Sequence, residues 1–258
     1  RALERLRARV ASDLPASEGA TLVFSGSGDF HHITPTLLDR ACEAAGRPPV
    51  TVLHFDNHPD WVRFANGAHC GSWVGCAARL PNVARVVTVG VCSDDIDRPE
   101  TKRADLDLLS EERLELYPYS APRGGASVSL AGREWPTIEA MGEAAFIEFL
   151  PTRIPTSAVY LTIDKDVLQP ADAGTNWDQG RTSLAFLKAM VARIGLAHRV
   201  VGADIVGDWS PAAYGGGPLA GLLKRGEALL DQPWTRPSPA VQALNQMANL
   251  ELLDLIVD

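Results

Sequence analysis

Short apolar segments that alternate with helical patterns constrain this chain more than any other feature of its sequence. Residues 50–55 (VTVLHF), 84–92 (ARVVTVGVC) and 158–163 (AVYLTI) are nearly continuous runs of β-branched and other apolar side chains. Such runs are typical of strands that are covered on both faces. Segments of helical periodicity separate them, and this alternation predicts a parallel sheet with helices on both sides.

The remaining predicted elements extend this pattern along the chain. We predict further strands at residues 21–25 and 199–206 and a short amphipathic helix at the N-terminus. The other predicted helices span residues 33–45, 72–80, 137–150, 184–194, 219–230 and 240–257. For the polar, irregular stretch 98–134 we expect either a surface loop or a flap that covers a substrate. The alternation of strands and helices predicts three layers, α/β/α, with a mainly parallel sheet. The length of 258 residues predicts one such domain, spanning residues 1–258.

The composition excludes several classes of partner. The chain carries 32 Asp and Glu against 24 Lys and Arg, a net charge of −8. Because binding to nucleic-acid phosphates needs a basic surface, we predict no nucleic-acid partner. No apolar run approaches the roughly 18 residues of a membrane span, so we predict no membrane association. The four cysteines form no Cys-x-x-Cys pair, which is typical of reduced thiols in a cytoplasmic protein.

Three predicted strands end in clusters of Asp and His. The clusters are residues 26–32 (GSGDFHH), 54–60 (HFDNHPD) and 162–166 (TIDKD). In open α/β sheets, ligands bind outside the carboxyl ends of the strands, so neighbouring strands would bring the clusters together. Within the second and third clusters the acidic and His residues are two apart, which places their side chains on one face of an extended segment.

Several carboxylates directed into one pocket predict a metal site. They repel one another unless a counter-charge is present. Six candidate ligands with alternating spacing indicate two divalent cations that share bridging carboxylates. A set of carboxylates with two imidazoles suits Mn²⁺, with Zn, Fe, Co or Ni as alternatives. Each cluster alone also fits a turn or a helix cap, so this prediction depends on all three lying together.

The clusters resemble three signatures of the ureohydrolase superfamily, which comprises arginase, agmatinase and formimidoylglutamase. GDFHHI resembles its Gly-Gly-Asp-His-Ser-Ile signature, FDNHPD its Asp-Ala-His-x-Asp signature, and TIDKDVLQP its Ser-Ile-Asp-x-Asp-x-x-Asp-Pro signature. Later segments, AGTNWDQG and GADIVGDWSP, extend the resemblance, which implies an arginase-like fold. It also implies two manganese ions, with Asp56 and Asp164 as bridges. The implied ligands are His31, Asp56, His58, Asp60, Asp164 and Asp166.

The same resemblance implies an activity, the hydrolysis of a C–N bond in a guanidino or amidine compound. A hydroxide that bridges the two ions would be the nucleophile. Asp60 would hold this hydroxide through a hydrogen bond. The family's proton-shuttling His corresponds to His69 or, in an alternative alignment, to Cys70, and we favour His69. The resemblance also implies a homo-oligomer.

The substrate-binding side departs from the family pattern. The family's guanidinium-binding Glu falls at Gly207 or Asp208, so Asp208 is the candidate substrate carboxylate. Trp61, Trp177 and Trp209 adjoin the predicted site loops. They either pack the bases of these loops or form an aromatic wall that binds a guanidinium or amine through cation–π contacts.

Two other functions are compatible with the same residues. A formimidoyl or acyl-amide hydrolase, similar to the histone-deacetylase-like enzymes, would tolerate the loss of the family's Glu. A metal-binding partner subunit without turnover would explain both this loss and the uncertain shuttle residue. Release of urea indicates the first function, and release of formamide, ammonia or acetate indicates the amide hydrolase. The absence of any product indicates the partner subunit.

Overall fold

A parallel sheet of six strands forms the centre of the computed structural model, which describes residues 2–14, 19–65, 69–209 and 236–257. In chain order its strands are β1 (Thr21–Phe24), β2 (Val50–Phe55), β3 (Val83–Val89), β4 (Leu114–Tyr117), β7 (Ala158–Asp164) and β8 (Arg199–Val206), and a separate antiparallel hairpin consists of β5 (Ser127–Leu130) and β6 (Arg133–Pro136). The order across the sheet is β1-β8-β7-β2-β3-β4. The predicted parallel sheet is confirmed, and β2 lies at its centre between β7 and β3.

Helices cover the sheet and connect its strands. In chain order they are α1 (Ala2–Asp13), α2 (Thr34–Ala44), α3 (Trp73–Ala78), α4 (Asp107–Ser110), α5 (Ile138–Met141), α6 (Glu143–Phe149), α7 (Leu184–Gly195) and α8 (Pro239–Val257), with 3-10 turns at Gly28–Ile33, Cys70–Ser72, Asp94–Ile96, Leu150–Arg153 and Lys165–Val167. Within the described ranges, no helix has both the length and the apolar character that a membrane crossing requires.

Two apolar clusters lie on opposite faces of the sheet. Val52 belongs to the first cluster and its neighbour Leu53 to the second, because successive side chains of a strand point to opposite faces. Leu38 of α2 packs in the first cluster, whereas Phe146 of α6 and Leu187 of α7 pack in the second. The layers are therefore helix, sheet and helix, as predicted.

The expectation of an irregular stretch at residues 98–134 is wrong. It contains α4, β4, β5 and the start of β6, and β4 is the edge strand beside β3. The strand is only four residues long and includes the buried Glu115, so its pattern gives a weak strand signal. The hairpin packs the ring of Trp135 against Tyr117 of β4. This stretch is thus an extension of the core.

Two glycines explain the other differences from the predicted elements. The helix predicted at 137–150 is interrupted at Gly142, whose φ of 82° ends α5 before α6 begins. The strand predicted at 84–92 ends at Val89, because Gly90 has a φ of 104°. The helix predicted at 219–230 lies outside the described residues. The remaining predicted helices and strands are found within one or two residues of their predicted ends.

Replacing Gly90 by Ala tests how closely the loops after the strands pack. A Cβ at this position would lie 2.4 Å from Cγ2 of Val167, in a backbone conformation that disfavours side chains. We expect Gly90→Ala to lower the free energy of unfolding by roughly 1–3 kcal/mol. Gly195→Ala is the control, because a Cβ there meets no atom within 4 Å. Urea denaturation measures the free energy of unfolding of both variants. Equal values for Gly90→Ala and Gly195→Ala would contradict the close packing.

Candidate metal centre

The carboxyl ends of three parallel strands bring the Asp and His clusters together. Phe55 of β2 pairs with Ile163 of β7, so Asp56 and Asp164 emerge side by side. The 3-10 turn Gly28–Ile33 follows β1 and carries His31 into the same place. The three clusters therefore meet at one edge of the sheet.

Hydrogen bonds within each cluster fix its carboxylates. The backbone N–H of His58 donates to Oδ1 of Asp56 at 2.6 Å, and that of Asp166 donates to Oδ1 of Asp164 at 3.0 Å. Asp side chains commonly bind the backbone two residues ahead in this way. The two-residue spacing thus forms turns, as the alternative interpretation of each cluster predicted. These turns direct the carboxylates to one side.

His31 and three carboxylates form the first group of possible ligands. Nδ1 of His31 is buried and forms no hydrogen bond within the described part of the chain. It lies 3.2 Å from Oδ2 of Asp56, 3.3 Å from Oδ2 of Asp60 and 3.6 Å from Oδ2 of Asp164. An imidazole nitrogen and carboxylate oxygens that converge in this way fit a divalent cation.

A second group of possible ligands surrounds His58. Its Nδ1 lies 3.0 Å from Oδ2 of Asp166 and 3.6 Å from Oδ1 of Asp56. The two oxygens of Asp56 therefore face different imidazoles, Oδ2 towards His31 and Oδ1 towards His58. A carboxylate in this position can bridge two cations.

A chain of hydrogen bonds orients the ring of His31. The Oγ1 of Thr162 donates to Asp204 at 2.9 Å and lies 2.8 Å from Nε2 of His31. Asp204 is fully buried and also accepts from Thr34 at 3.1 Å and from Tyr160 at 2.7 Å. Because the proton of Thr162 is given to Asp204, its oxygen accepts the Nε2–H of His31. The lone pair of Nδ1 then faces the carboxylates, as a metal ligand requires.

His58 has an equivalent partner. Its Nε2 lies 2.9 Å from Oδ1 of Asp178, and Asn57 donates to Oδ2 of the same carboxylate at 3.1 Å. The hydrogen bond with His58 lowers the pKa of Asp178. The ring of Trp177 lies edge-on to His58, with ring centroids 6.3 Å apart. The loop before α7 therefore orients the second imidazole.

Buried carboxyl groups create an electrostatic cost in this cluster. Burial, reinforced by repulsion from Asp56, raises the pKa of Asp60 and that of Asp164 to about 6. Burial and the charge of Asp164 raise the pKa of Asp166 well above its usual value. For Asp56, burial acts in the same direction, but His54 and the other imidazoles outweigh it and lower the pKa. The cluster therefore favours a bound positive charge.

The two imidazoles respond to the same charges. Burial alone would lower the pKa of His31, but Asp56 and Asp60 outweigh burial and raise it. In His58, Asp166 likewise outweighs burial and raises the pKa. Protons and divalent cations compete for these nitrogens, because a ligating imidazole must be neutral.

Comparisons with known proteins agree with this architecture. No protein-family model matches the chain. The solved structure of a hypothetical agmatinase from Burkholderia thailandensis is 22% identical, with a TM-score of 0.57 over 98% of this chain and 63% of that chain. Proclavaminate amidino hydrolase from Streptomyces clavuligerus is 17% identical, with a TM-score of 0.62 over 98% and 69%. This chain has the arginase-like fold.

Two further proteins are similar to this chain, one by its structure and one by its sequence. Formimidoylglutamase from Bacillus subtilis is 15% identical, with a TM-score of 0.58 over 98% of this chain and 64% of that chain. An uncharacterized protein of Thermotoga maritima is 29% identical over 202 residues, which are 78% of this chain and 62% of that protein. The arginase-like chain thus spans less than two thirds of the length of several proteins it matches.

His54 is a site residue that the sequence analysis did not single out. It lies on β2, is fully buried, and places Nε2 2.8 Å from Oδ2 of Asp56 and Nδ1 3.0 Å from Thr88. It could join His31, Asp56 and Asp60 around one cation. Extending the two-residue spacing back from Asp56 would have found it.

Trp73 was also missed, because a Trp at the start of a helix is typical of a core residue. Its Nε1–H donates to Oδ2 of Asp60 at 2.6 Å. Its ring lies against His31 and His54, with centroids 4.7 and 4.8 Å apart. Asp60 is further constrained by a φ of 48°. Trp73 therefore fixes one carboxylate oxygen and supports two imidazoles.

The three tryptophans do not form one aromatic wall. Trp61 has 1% of its surface exposed and packs in the first apolar cluster, so a substrate cannot reach it; this corrects the expectation for Trp61. Trp177 is partly exposed beside His58. Trp209 is partly exposed and lines a cavity between the end of β8 and α8.

His69 lies next to the first group of ligands. Gly71 separates it from Asp60: a Cβ at Gly71 would lie 3.3 Å from Cε1 of His69 and 3.8 Å from Oδ1 of Asp60. The His69 ring also packs edge-on against Phe64. Burial and the charge of Asp60 raise the pKa of Cys70 to about 12, so its thiol stays protonated at neutral pH. These positions favour His69 over Cys70 for proton transfer.

Asp208 is engaged by a buried lysine. Lys165, which stands between two of the predicted ligands in sequence, donates to the carboxylate of Asp208 and to Oδ1 of Asn249 at 2.8 Å. Gly207 has no room for a side chain, because a Cβ there would lie 2.4 Å from Oδ1 of Asp164. The two positions that match the family's Glu thus hold a glycine and a paired carboxylate.

Replacing Thr162 by Val tests the orientation of His31. The variant removes the acceptor for Nε2–H and leaves Asp204 with one donor fewer. We expect the affinity for Mn²⁺ at one of two sites to fall about 10–100-fold, the usual effect of losing such a partner. Calorimetric titration measures this affinity, and Thr162→Ser, which keeps the hydroxyl, should restore it. Unchanged affinity in Thr162→Val would contradict the role of the hydrogen-bond chain.

The raised pKa values of Asp60 and Asp164 predict how pH affects metal binding. Protonation of these carboxyls stabilises the metal-free protein at low pH, and that contribution is lost as pH rises through about 6. A cation replaces the protons and relieves the repulsion. We therefore expect Mn²⁺ to raise the Tm more at about pH 8 than at about pH 5.

Calorimetric scans with Mn²⁺ and with a chelator measure the increase in Tm at each pH. Asp60→Asn serves as the control, because it lacks one of the two titrating carboxyls and should show a shallower pH dependence. The same increase in Tm at both pH values would show that these carboxyls do not bind the cation.

Proposed function

We propose that this chain is a binuclear metal-dependent hydrolase of the ureohydrolase type, which cleaves a C–N bond in a guanidino or amidine compound and uses Mn²⁺. The observation that carries the proposal is the position of Asp56, whose two oxygens face two separate groups of imidazole and carboxylate ligands. The arginase-like fold supports it. A cytoplasmic location and a homo-oligomeric state remain predictions.

The residues present fit two divalent cations. A divalent cation would give the orphaned Nδ1 of His31 a partner and would relieve the repulsion among the carboxylates. When bound, two cations would lower the pKa of a water molecule so that hydroxide is available near neutral pH. The first cation would be held by His31, Asp56, Asp60 and Asp164, and the second by His58, Asp56, Asp164 and Asp166.

The surrounding residues can then position the reactants. Trp73 holds Oδ2 of Asp60, which leaves Oδ1 on the side of His69 free to accept a hydrogen bond from the attacking water. His69 would give a proton to the leaving amine. Thr162 and Asp178 keep the two ligating imidazoles in their orientations. In this proposal Asp60 and His69 are the catalytic side chains.

A second candidate is a hydrolase of formimidoyl or acyl-amide compounds at the same metal centre. The ion pair between Lys165 and Asp208 favours it. A guanidinium cation needs an available carboxylate, and this one is already neutralised by a buried ammonium group. A substrate with an uncharged amide does not need that carboxylate.

The products of the Mn²⁺-loaded protein distinguish the candidates. We expect metal-dependent release of urea from a panel of guanidino compounds. Formamide, ammonia or acetate from formimidoyl and acetylated amines would instead support the second candidate. Asp164→Asn should lower kcat at least about 100-fold, because it removes a bridging ligand. Asp39→Asn, which removes a surface carboxylate paired with Arg47, is the matched control.

Metal content is measured on the same samples. Two bound ions per chain with no product from any compound would contradict both hydrolase candidates and favour a metal-binding subunit without turnover. Hydrolysis that persists after complete removal of metal would contradict the proposed centre itself.

A further inference from the structure

One face of helix α8 contacts two segments that carry residues of the candidate metal centre. Val241, Asn245 and Asn249 are four residues apart, so their side chains lie above one another on this face. Val241 and Asn245 contact the loop between β7 and α7, and Asn249 contacts the turn at the end of β7. A helix far along the chain from the ligands thus packs against the segments that hold them.

Asn245 binds the loop before α7 with both ends of its amide. The side chain is buried. Its Nδ2 donates to the carbonyl oxygen of Gly174 at 2.7 Å, and its Oδ1 accepts from the N–H of Gly174 at 2.8 Å. Gly174 lies so close to the helix that a Cβ there would be 2.7 Å from Cγ1 of Val241. Because buried backbone groups without partners are unfavourable, these bonds favour one position of the loop against α8.

The position of Gly174 affects His58 through a short loop. Gln179 donates from Nε2 to the carbonyl oxygen of Ala173 at 2.9 Å, and this bond closes the loop on the residue before Gly174. Asp178 lies within the closed loop, and its Oδ1 is 2.9 Å from Nε2 of His58. A displacement of Gly174 would therefore move the carboxylate that orients this candidate ligand.

Asn249 contacts the second segment. Its Oδ1 accepts from Nζ of Lys165 at 2.8 Å. Lys165 is fully buried and stands between the candidate ligands Asp164 and Asp166 in the chain. The N–H of Gly180 donates to the carbonyl oxygen of Asp166 at 2.6 Å, so the loop and the turn are also bonded to each other. The two contacts of α8 therefore act on one connected unit.

We propose that α8 is a positioning element for the candidate metal centre and that Asn245 is the residue through which it acts on His58. The inference rests on the divalent-cation centre of the proposed function. Hydrogen bonds that orient a ligating imidazole increase the affinity for the metal. Metal binding and the packing of α8 against the loop therefore stabilise each other, because coupling between two equilibria is reciprocal.

Replacing Asn245 by Leu removes both hydrogen bonds to Gly174. We expect the Mn²⁺ affinity of the site that contains His58 to fall about tenfold, the lower end of the effect of losing a direct partner of a ligand. The affinity of the other site should stay unchanged. Calorimetric titration of the full chain measures both affinities. Met247→Ala is the control, because Met247 lies on the same helix with 63% of its surface exposed, and it should bind Mn²⁺ as the wild type does.

A double variant identifies which site is affected. Thr162→Val is expected to weaken the site that contains His31, so Asn245→Leu combined with Thr162→Val should bind both ions more weakly. If Asn245 has a structural role alone, Asn245→Leu lowers the Tm and changes the affinities of both sites equally or of neither. Either of these results would overturn the positioning role of Asn245.

Hydrogen exchange of the wild-type chain tests the reciprocal effect without any variant. Saturating Mn²⁺ should slow the exchange of backbone amides in α8 about tenfold, the factor by which the packing of α8 raises the affinity. Helix α1, which packs on α2, should exchange at an unchanged rate. Equal slowing in α1 and α8 would show general stabilisation in place of coupling, and this result or an unchanged rate in α8 would overturn the inference.

The outcomes for the proposed function are distinct from these. If the wild type binds two ions and hydrolyses guanidino compounds, while exchange in α8 and metal binding by Asn245→Leu are unchanged, the hydrolase function stands and the role of α8 fails. If the coupling is found but no compound is hydrolysed, the role of α8 stands and the hydrolase function fails. Failure of the wild type to bind Mn²⁺ would overturn both.

Discussion

Repulsion among buried carboxylates is the interaction on which this site depends. Four Asp side chains converge at the ends of β2 and β7, where burial makes each negative charge costly. The carboxylates lie together because parallel strands place successive loops at one edge of the sheet. The cost of their burial is partly offset, because backbone N–H groups, Trp73 and imidazoles each hold one or more carboxylate oxygens. The remaining charge has no partner in the described chain, so the cluster is compatible with a bound cation.

The groups around this cluster are arranged in two layers. Imidazoles face the carboxylates directly, and behind them neutral or acidic groups fix the imidazoles: Thr162 and Asp204 behind His31, and Asp178 behind His58. The outer layer comes from β7, β8 and the loop before α7, so elements far apart in sequence determine the geometry of one site.

The sequence predicted the sheet, most of the helices and the convergence of the three Asp and His clusters, because these follow from local periodicity and from the rule that parallel strands end at one edge. It did not predict β4 or its hairpin, because these short strands contain polar residues, such as Glu115, that interrupt the apolar pattern. His54 and Trp73 were missed because a His within an apolar strand and a Trp that opens a helix are typical of core residues. The partner of Asp208 was beyond the sequence, because the spacing of Lys165 and Asp208 in the chain says nothing about their contact in space.

The lack of space at Gly207 limits which amino-acid substitutions this protein can accept. The backbone there runs so close to Asp164 and Lys165 that no side chain fits without moving a candidate metal ligand. A carboxylate therefore cannot be introduced at this position by one substitution while the metal centre is kept. Any evolutionary or engineered route towards binding a cationic substrate must pass through Lys165 and Asp208 or through a rebuilt loop. Under the proposed function, the residues that hold the metal therefore limit how the residues around Asp208 can change.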